Sequence, residues 1–397
     1  MGFGTLVVIV LAGLGGPLLG LIERRFVPVV VGEILAGILV GPTALGAVHP
    51  ANATTSFLGE VGFAMLMLTV GMHLPLRDRR LASAARGGAL LAALVFVLAV
   101  PAGLLAAWVA GGGHAWVYTV VLASGSAAVL LPAVQESALA GAEVLAVMAQ
   151  VTIADVVTII SVPIVLQPGR VGHVALGSLL VAAAVVLILA AQRALEGLDT
   201  RAWVHRVRHL AKRRQWALDL RLSLLVLFVL AWLAVKGGTS VLIAGFGAGV
   251  MVAVIGGPKR LSTQVRGLAD GFFVPLYFVV LGARLDLAGL VHHPAMLALA
   301  CALAGLNVII HLLAAAAARR PVAAALAASA QLGVPAAVAS LGLSEHVLSP
   351  VVATAIVASA LISLAVCTLG VEQLARRPAA TPPLPAGAEP AGAESAR

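Results

Sequence analysis

The sequence predicts an all-α polytopic membrane protein, and three observations lead to this fold class. Of the 397 residues, 61% are hydrophobic and 10% are charged, whereas soluble domains carry about 25% charged residues. The mean hydropathy is +1.09, and the apolar stretches run for about 20 residues, the length of a helix that crosses a bilayer core. Aromatic residues make up only 4% of the chain and 42 residues are glycine, so the helices can pack closely through small faces.

About thirteen transmembrane helices can be read from the hydropathy along the chain. The first is predicted to be an uncleaved helix and not a signal peptide, because Arg24 and Arg25 follow it and no basic segment precedes it. Cys301 and Cys367 both lie inside spans, so we interpret them as packing residues and not as a disulfide. The thirteen predicted spans are about 3–22, 26–46, 56–75, 88–110, 115–133, 141–166, 173–192, 217–235, 239–256, 269–283, 294–318, 321–342 and 347–371.

The distribution of basic residues predicts the orientation of these spans. With the N-terminus outside and the C-terminus inside, 22 of the 25 Lys and Arg residues fall in cytoplasmic segments, as the positive-inside rule requires. The net charge of +9 is therefore a topology signal and does not indicate a nucleic-acid partner. A multi-pass protein of the cytoplasmic (inner) membrane is predicted.

Two polar segments lie outside the predicted spans. Residues 193–216 form a basic cytoplasmic linker, in which 200–216 is either an amphipathic helix along the membrane surface or a solvated connection. Residues 376–397 are rich in Pro and Ala and have no apolar periodicity, so a disordered cytoplasmic tail is predicted.

An internal repeat relates the two halves of the chain. "LTVGMHLPL" (68–76) matches "VVLGARLDL" (279–287), and "ILAGILVG" (34–41) matches "LIAGFGAG" (242–249). The offsets are 211 and 208 residues, or about seven spans, so the two copies would have opposite orientations in the membrane. Inverted repeats of this kind are typical of secondary transporters.

Two spans carry residues that interrupt a helix near its centre. The fifth contains "LASGSAAVLLP" (122–132), and the twelfth contains "SAQLGVPAAVAS" (329–340). Gly and Pro in the middle of a span leave backbone N–H and C=O groups without their helical hydrogen bonds. Lipid cannot bond these groups, so the groups must face protein or a water-filled cavity. Gly125 and Gly333 are 208 residues apart, which matches the repeat offset. A pair of broken helices is predicted, with ordinary kinks as the alternative.

Asp155 is the one acidic residue of the apolar run "VTIADVVTIISVPIV" (151–165). A carboxylate in hydrocarbon is costly unless it is used or paired, so Asp155 is predicted to bind the transported ion and the proton. Such a group holds either a proton or a bare Na⁺ or K⁺, and competition at one site is sufficient for antiport. The structural alternatives are a pair with His311 or a cap on the N-terminus of a half-helix.

The chain resembles the monovalent cation:proton antiporter-2 family, which includes Kef-type potassium efflux proteins and bacterial sodium/proton antiporters. The segments that carry the resemblance are "VPVVVGEILAGILVGPTALG" (27–46), "LGEVGFAMLMLTVGMHLPL" (58–76) and "GFFVPLYFVVLGARLDL" (271–287). The resemblance implies two unwound crossing helices, an ion-binding acid in the sixth span, a mobile core domain and a scaffold domain that usually dimerises. It implies a membrane domain at 1–375, with scaffold helices at about 1–75 and 217–283 and core helices at about 88–166 and 294–371.

Oxygen atoms near Asp155 are the candidate ligands that replace the water around a cation. The hydroxyl of Thr152 lies one turn before Asp155, and further oxygens are expected around Ser124 to Ser126 and near Gln331. The hydroxyls of Thr152 and Ser124 are equally able to bond backbone carbonyls instead.

The site departs from the pattern of the family it resembles at several positions. Ala154 precedes the acid where the family commonly has Asp, Asn or Gln, and His311 occupies the place of a Lys or Arg. His311 and Asn307, one turn before it, are candidate charge-compensating or pH-sensing residues. We interpret Glu33 and Glu60 as structural.

One carboxylate predicts a one-for-one, electroneutral exchange of Na⁺ or K⁺ for H⁺. The alternatives are a non-transporting sensor or assembly protein of the same fold, and a Kef-like potassium efflux channel. No enzyme is predicted, because no polar constellation large enough for bond chemistry appears in the spans, and no cofactor is predicted.

Overall fold

The computed structural model describes residues 2–22, 29–74, 79–137, 139, 141–197, 217–255 and 259–376. Within these ranges the chain is helical and contains no β-strand. The helices are α1 (Phe3–Gly13), α2 (Gly15–Ile22), α3 (Val29–Val40), α4 (Ala53–Met72), α5 (Arg79–Val109), α6 (Ala115–Ala123), α7 (Ala127–Glu136), α8 (Ala142–Leu166), α9 (Val171–Gly197), α10 (Leu218–Lys236), α11 (Val241–Ile255), α12 (Lys259–Leu268), α13 (Val274–Arg284), α14 (Leu287–His292), α15 (Pro294–Ala317), α16 (Val322–Ala328), α17 (Gly333–Ser344) and α18 (Pro350–Ala375).

The apolar helices correspond in order to the thirteen predicted spans. Within the described residues, nine helical segments are long and apolar enough to cross a membrane. Four shorter apolar helical segments occupy the remaining predicted spans, at Phe3–Leu19, Val29–Val40, Ala115–Leu131 and Val241–Ile255. Hydropathy therefore predicted each of these thirteen apolar segments of the described residues, although the bounds of several differ from the prediction.

Some helices extend beyond the predicted spans. Their ends are polar, so the hydropathy of the sequence did not indicate that these residues are helical. α5 begins at Arg79 instead of 88, since "RRLASAARG" is rich in good helix formers and contains no proline. α9 continues to Gly197, so 193–197 belong to a helix and not to the predicted linker. The rest of that linker, 198–216, lies outside the described residues, as does the predicted disordered tail at 377–397.

The tenth predicted span is the second part of a longer helical segment. α12 precedes it, and a π-helical turn at Ala269–Phe273 joins α12 to α13. Leu261 and Val265, one turn apart in α12, are buried, whereas the helix also carries Arg266 in its last turn. Hydropathy alone missed α12 because its polar face lowers the average of the window.

Each repeat motif packs against the motif of the other repeat that it does not match in sequence. α4, which contains the motif 68–76, packs on α11, which contains 242–249, and α3 packs on α13 in the same way. A Cβ atom on Gly249 would overlap the carbonyl of Leu68 and lie 2.8 Å from the Cα of Gly71. These helices therefore approach backbone to backbone, and the glycines of the motifs permit that approach.

A second group of helices surrounds the two broken spans. α5 packs on α6, α8 and α15, and α18 packs on α15, α16 and α17. The hydroxyl of Tyr277 on α13 donates a hydrogen bond of 3.0 Å to the carbonyl of Ala336 on α17, which links this group to the first.

Candidate functional site

Two helix breaks meet in the interior of the second group. α6 ends at Ala123 and α7 begins at Ala127, while α16 ends at Ala328 and α17 begins at Gly333. The predicted helix interruptions in the fifth and twelfth spans are thus confirmed. The prolines of these spans, Pro132 and Pro335, lie within α7 and α17 and not at the breaks.

Gln331 joins one break to the other. Its Nε2 donates hydrogen bonds to the carbonyl of Val121, at 2.6 Å, and to Oδ1 of Asn307, at 3.0 Å. Because both N–H groups of the amide are used, the remaining polar atom is Oε1, which can only accept. Gln331 is buried, so it presents an amide oxygen within the protein interior.

Asp155 lies in the middle of α8, buried, and contacts the first break. The backbone N–H of Ala127 donates a hydrogen bond of 2.8 Å to Oδ2 of Asp155. Ala127 is the first residue of α7, so the carboxylate lies at the positive end of a half-helix. This is the capping arrangement considered from the sequence, and it does not exclude ion binding, because a carboxylate offers about four lone-pair positions. No ion pair joins Asp155 to His311 among the described residues.

The hydroxyl groups near Asp155 differ in their bonding. Oγ1 of Thr152 is buried and has no hydrogen-bond partner among the residues that the structure describes. Ser124 donates to the carbonyl of Val121 at 2.7 Å, the structural role that the sequence left open for it. Ser126 is buried next to the start of α7. Thr152 lies one turn before Asp155, so the two side chains project from neighbouring positions on one face of α8.

The first break passes very close to α8. A Cβ atom on Gly125 would lie 2.9 Å from Cγ1 and 3.2 Å from Cα of Val151. Such contacts are too short for a side chain, so glycine at 125 lets the unwound segment between Ser124 and Ser126 approach α8. This approach brings backbone groups of the break near Asp155 and Thr152.

Asn307 holds the second break in place. Its Nδ2 donates to the carbonyl of Ser329, at 2.8 Å, and to Oγ of Ser363, at 3.0 Å. Together with the bond from Gln331, this ties α15 and α18 to the break between α16 and α17. Ser329 and Ser363 were not singled out from the sequence; the signal available was that a buried Asn needs partners for its whole amide.

His311 lies one turn beyond Asn307 and is buried. Its Nδ1 is 2.8 Å from the carbonyl oxygen of Asn307, and because a carbonyl only accepts, Nδ1 carries the hydrogen. His311 lines a small cavity together with Glu143 and Gln150, near the start of α8.

A much larger cavity lies at the other end of α8. Its volume is about 310 Å³. Asp155 lies between the two cavities along α8, five residues after Gln150 and twelve before Gln167. Glu60 lines the larger cavity, whereas Glu33 is buried with Oε2 unpaired among the described residues. The polar residues that line the larger cavity are Glu60, Gln167, Arg170, Thr239, Ser240, Arg284, Ser340, Ser344 and Glu345.

Comparison with protein families gives a match over nearly the whole chain. A family model described as "Sodium/hydrogen exchanger, transmembrane" matches residues 6–377. Relatives include the putative Na(+)/H(+) antiporter YjbQ of Bacillus subtilis, 24% identical over 303 residues, which cover 71% of this chain and 47% of the relative. K(+) efflux antiporter 1 of Arabidopsis thaliana chloroplasts is 29% identical over 271 residues, which cover 65% of this chain and 22% of the relative.

A third relative is the glutathione-regulated potassium-efflux system protein KefC of Klebsiella pneumoniae, 27% identical over 277 residues, which cover 67% of this chain and 42% of KefC. The chain thus spans less than half the length of these relatives. The solved structure of the sodium proton antiporter MjNhaP1 from Methanocaldococcus jannaschii superimposes with a TM-score of 0.63 at 16% identity, covering 94% of this chain and 95% of that one. The predicted antiporter-like all-α membrane fold is confirmed.

Proposed function

The chain belongs to the sodium/hydrogen exchanger family, and on that premise we propose that it exchanges a monovalent cation, Na⁺ or K⁺, for protons across the membrane. The observation that carries the proposal is Asp155, a buried carboxylate that contacts the first residue of a half-helix at 2.8 Å. Secondary transporters bind their ions at such broken helices near the membrane midplane. The relatives named above for Na⁺ and for K⁺ support either ion.

Competition at Asp155 supplies the coupling. A carboxylate that holds a proton or a cation is neutral as a unit, and it can cross a low-dielectric barrier. The empty, charged carboxylate pays a large desolvation cost and cannot cross. One occupant therefore has to be exchanged for the other, and each passage moves one cation one way and one proton the other way.

The candidate cation ligands are oxygen atoms around Asp155. Thr152 offers a buried hydroxyl without a partner among the described residues, and Gln331 offers Oε1, because its N–H groups are already donated. The break contributes oxygens at Ser124 and Ser126. We assign Asn307 and His311 to the support of this site, since Asn307 bonds Gln331 and His311 bonds Asn307.

Movement of one helix group against the other would give alternating access. We propose that α3, α4, α11 and α13 belong to the scaffold, which pairs with a second copy of the chain, and that α5–α8 and α15–α18 form the mobile core. The bond from Tyr277 to the carbonyl of Ala336 crosses this boundary, so it must break during transport.

The positive-inside rule assigns the two cavities to the two sides of the membrane. With the N-terminus outside the cytoplasmic membrane, the 310 Å³ cavity opens to the exterior and the small cavity near Glu143 opens to the cytoplasm. In this structure the cavity on the external side is then the larger of the two.

Reconstitution into proteoliposomes tests the proposal. Addition of Na⁺, K⁺ or Li⁺ to acid-loaded vesicles is expected to drive proton efflux with wild-type protein and not with Asp155→Asn. The matched control is Asp219→Asn, which removes a carboxylate from the first turn of α10 and should leave exchange intact. Cation-driven proton movement that persists in folded Asp155→Asn protein would refute the site, and its absence in the wild type would refute antiport.

A further inference from the structure

Three basic residues of the chain depart from the positive-inside rule, and they gather at one cavity. With the N-terminus outside, Arg170, Lys236 and Arg284 fall outside the predicted cytoplasmic segments. Arg170 and Arg284 line the cavity of about 310 Å³ on the external side, as does Val235, the neighbour of Lys236. Two arginines therefore face the space that a cation enters first from outside.

Arg284 also lines an inner extension of this cavity. The extension has a volume of about 10 Å³ and shares Glu60, Arg284 and Ser340 with the larger space. Ser340 lies on α17, seven residues after Gly333, or about 10 Å along the helix. Because Gly333 begins α17 at the second break, Arg284 lies on the external side of that break.

The charge of Arg284 is not neutralised by an ion pair with any of the described residues. Its Nη2 donates a hydrogen bond of 2.8 Å to Oγ of Ser56, which is a neutral partner. Asp286, two residues further on, accepts a hydrogen bond of 2.7 Å from the N–H of Gly289 and lines neither cavity. The guanidinium is thus held in place by α4 with its full positive charge.

Two carboxylates face the same cavity, but they are more exposed than Arg284. Glu60 and Glu345 line it, and both residues are exposed to solvent, so water and salt screen their charges. Arg284 is half-buried, and a charge that is partly removed from water acts more strongly on its surroundings. We therefore expect Arg284 to dominate the potential in the inner extension.

We propose that Arg284 is a specificity-determining residue that limits which external cations reach Asp155. Its positive charge raises the external concentration of a monovalent cation that exchange requires. It opposes a divalent cation twice as strongly, because the Coulomb energy is proportional to the charge of the ion. This inference rests on the proposed function, since it assumes that cations are exchanged at Asp155.

This dependence on ionic charge gives a quantitative signature. Between unit charges about 8 Å apart in water, Coulomb's law changes the local cation concentration by about 2.4-fold, and for a divalent cation the factor is squared to about sixfold. Arg284→Gln should therefore lower the half-maximal external Na⁺ or K⁺ concentration by about 2.4-fold. The Mg²⁺ or Ca²⁺ concentration that halves exchange, measured at half-maximal monovalent cation, should fall by about sixfold.

The first measurement is cation-driven proton efflux from right-side-out vesicles, with choline chloride holding the ionic strength constant. Arg284→Lys keeps the charge and should give wild-type values, whereas Glu60→Gln should give smaller changes of the opposite sign. The control is Arg193→Gln, because Arg193 is an exposed residue near the end of α9, in a predicted cytoplasmic segment. The same loss of charge there should alter neither concentration.

The second measurement is thiol reactivity, which needs no transport. In a Cys301→Ser background, chosen because Cys301 is exposed and Cys367 is buried, Ser340→Cys places a thiol where the two spaces meet. The rate with a cationic methanethiosulfonate divided by the rate with an anionic one reports the local potential, since any change in thiolate fraction cancels in the ratio. Arg284→Gln should raise this ratio by about sixfold. Ser344→Cys, which also lines the larger space, replaces Ser340→Cys if that variant does not fold.

The inference is supported if the divalent change is about the square of the monovalent change, and if the thiol ratio rises in Arg284→Gln but not in Arg284→Lys. It is overturned if Arg284→Gln leaves the thiol ratio unchanged, if monovalent and divalent cations change equally, or if divalent cations fail to inhibit this variant. An inactive wild type would refute antiport alone, because the thiol ratio still reports on the charge of Arg284.

Discussion

Thr152→Val should weaken cation binding and leave the fold unharmed. The hydroxyl of Thr152, one turn before Asp155 on α8, is buried and has no partner among the described residues, so its removal breaks no internal hydrogen bond there. If this hydroxyl is a cation ligand, its removal should cost about as much binding free energy as the loss of a hydrogen bond to a charged group, about 1.5 kcal/mol. That corresponds to a rise of about tenfold in the cation concentration for half-maximal exchange.

Thr158→Val is the matched control for this variant. Thr158 lies one turn beyond Asp155 on the same helix, but its hydroxyl donates to the carbonyl of Ala154 at 2.6 Å. The same chemical change there should leave the half-maximal cation concentration unaltered. Thr152→Ser keeps a hydroxyl and should restore cation affinity close to the wild-type value.

Two measurements decide the matter: the concentration dependence of exchange in proteoliposomes, and the thermal midpoint in detergent without cation. Thr152→Val should be at least as stable as the wild type, because an unpaired buried hydroxyl is itself unfavourable. An unchanged half-maximal concentration in Thr152→Val, or equal effects from Thr152→Val and Thr158→Val, would show that this hydroxyl is not a ligand.

Three further expectations follow from the described contacts. Gln331→Leu leaves Oδ1 of Asn307 without its donor and removes one of several donors to the carbonyl of Val121, which Ser124 still bonds, so unfolding should become easier by about 1–3 kcal/mol; a wild-type thermal midpoint would contradict the bridging role. Tyr277→Phe removes the hydroxyl that bonds the carbonyl of Ala336 and the side chain of Ser340, both on α17. It should raise the turnover rate if these bonds break in each cycle, whereas an unchanged rate argues against that step. Exchange should not respond to an imposed membrane potential, because the single carboxylate of Asp155 moves one cation in one direction and one proton in the other, with no net charge transfer. Clear voltage dependence in potential-clamped vesicles would show that the stoichiometry is not one for one.

The sequence predicted the spans and both helix breaks because the physics behind them is local. Long apolar runs, and Gly125 and Gly333 inside them, are visible without any knowledge of neighbours. The polar extensions at Arg79 and in α12 were missed, since hydropathy averages cannot separate a helix end from a loop. These boundaries depend on helix propensity and on the burial of one face.

The site could be predicted only in part because its contacts join distant parts of the chain. Asp155 stood out as a lone acid, yet its bond to Ala127, 28 residues away, could only be considered as one alternative. The ion pair of Glu143 and Arg320 spans 177 residues, and no pattern in the sequence indicates it. That the hydroxyl of Thr152 has no partner among the described residues likewise becomes visible only in the three-dimensional structure.

The hydrogen bond between Ala127 and Asp155 gives the carboxylate two tasks at once. Oδ2 of the carboxylate that we propose as the ion site also accepts the hydrogen bond from the first residue of α7. A protonated or cation-loaded carboxyl attracts the amide hydrogen less strongly than a bare carboxylate does. We therefore expect the start of α7 to be held most tightly when the binding site is empty and less tightly when a proton or a cation is bound.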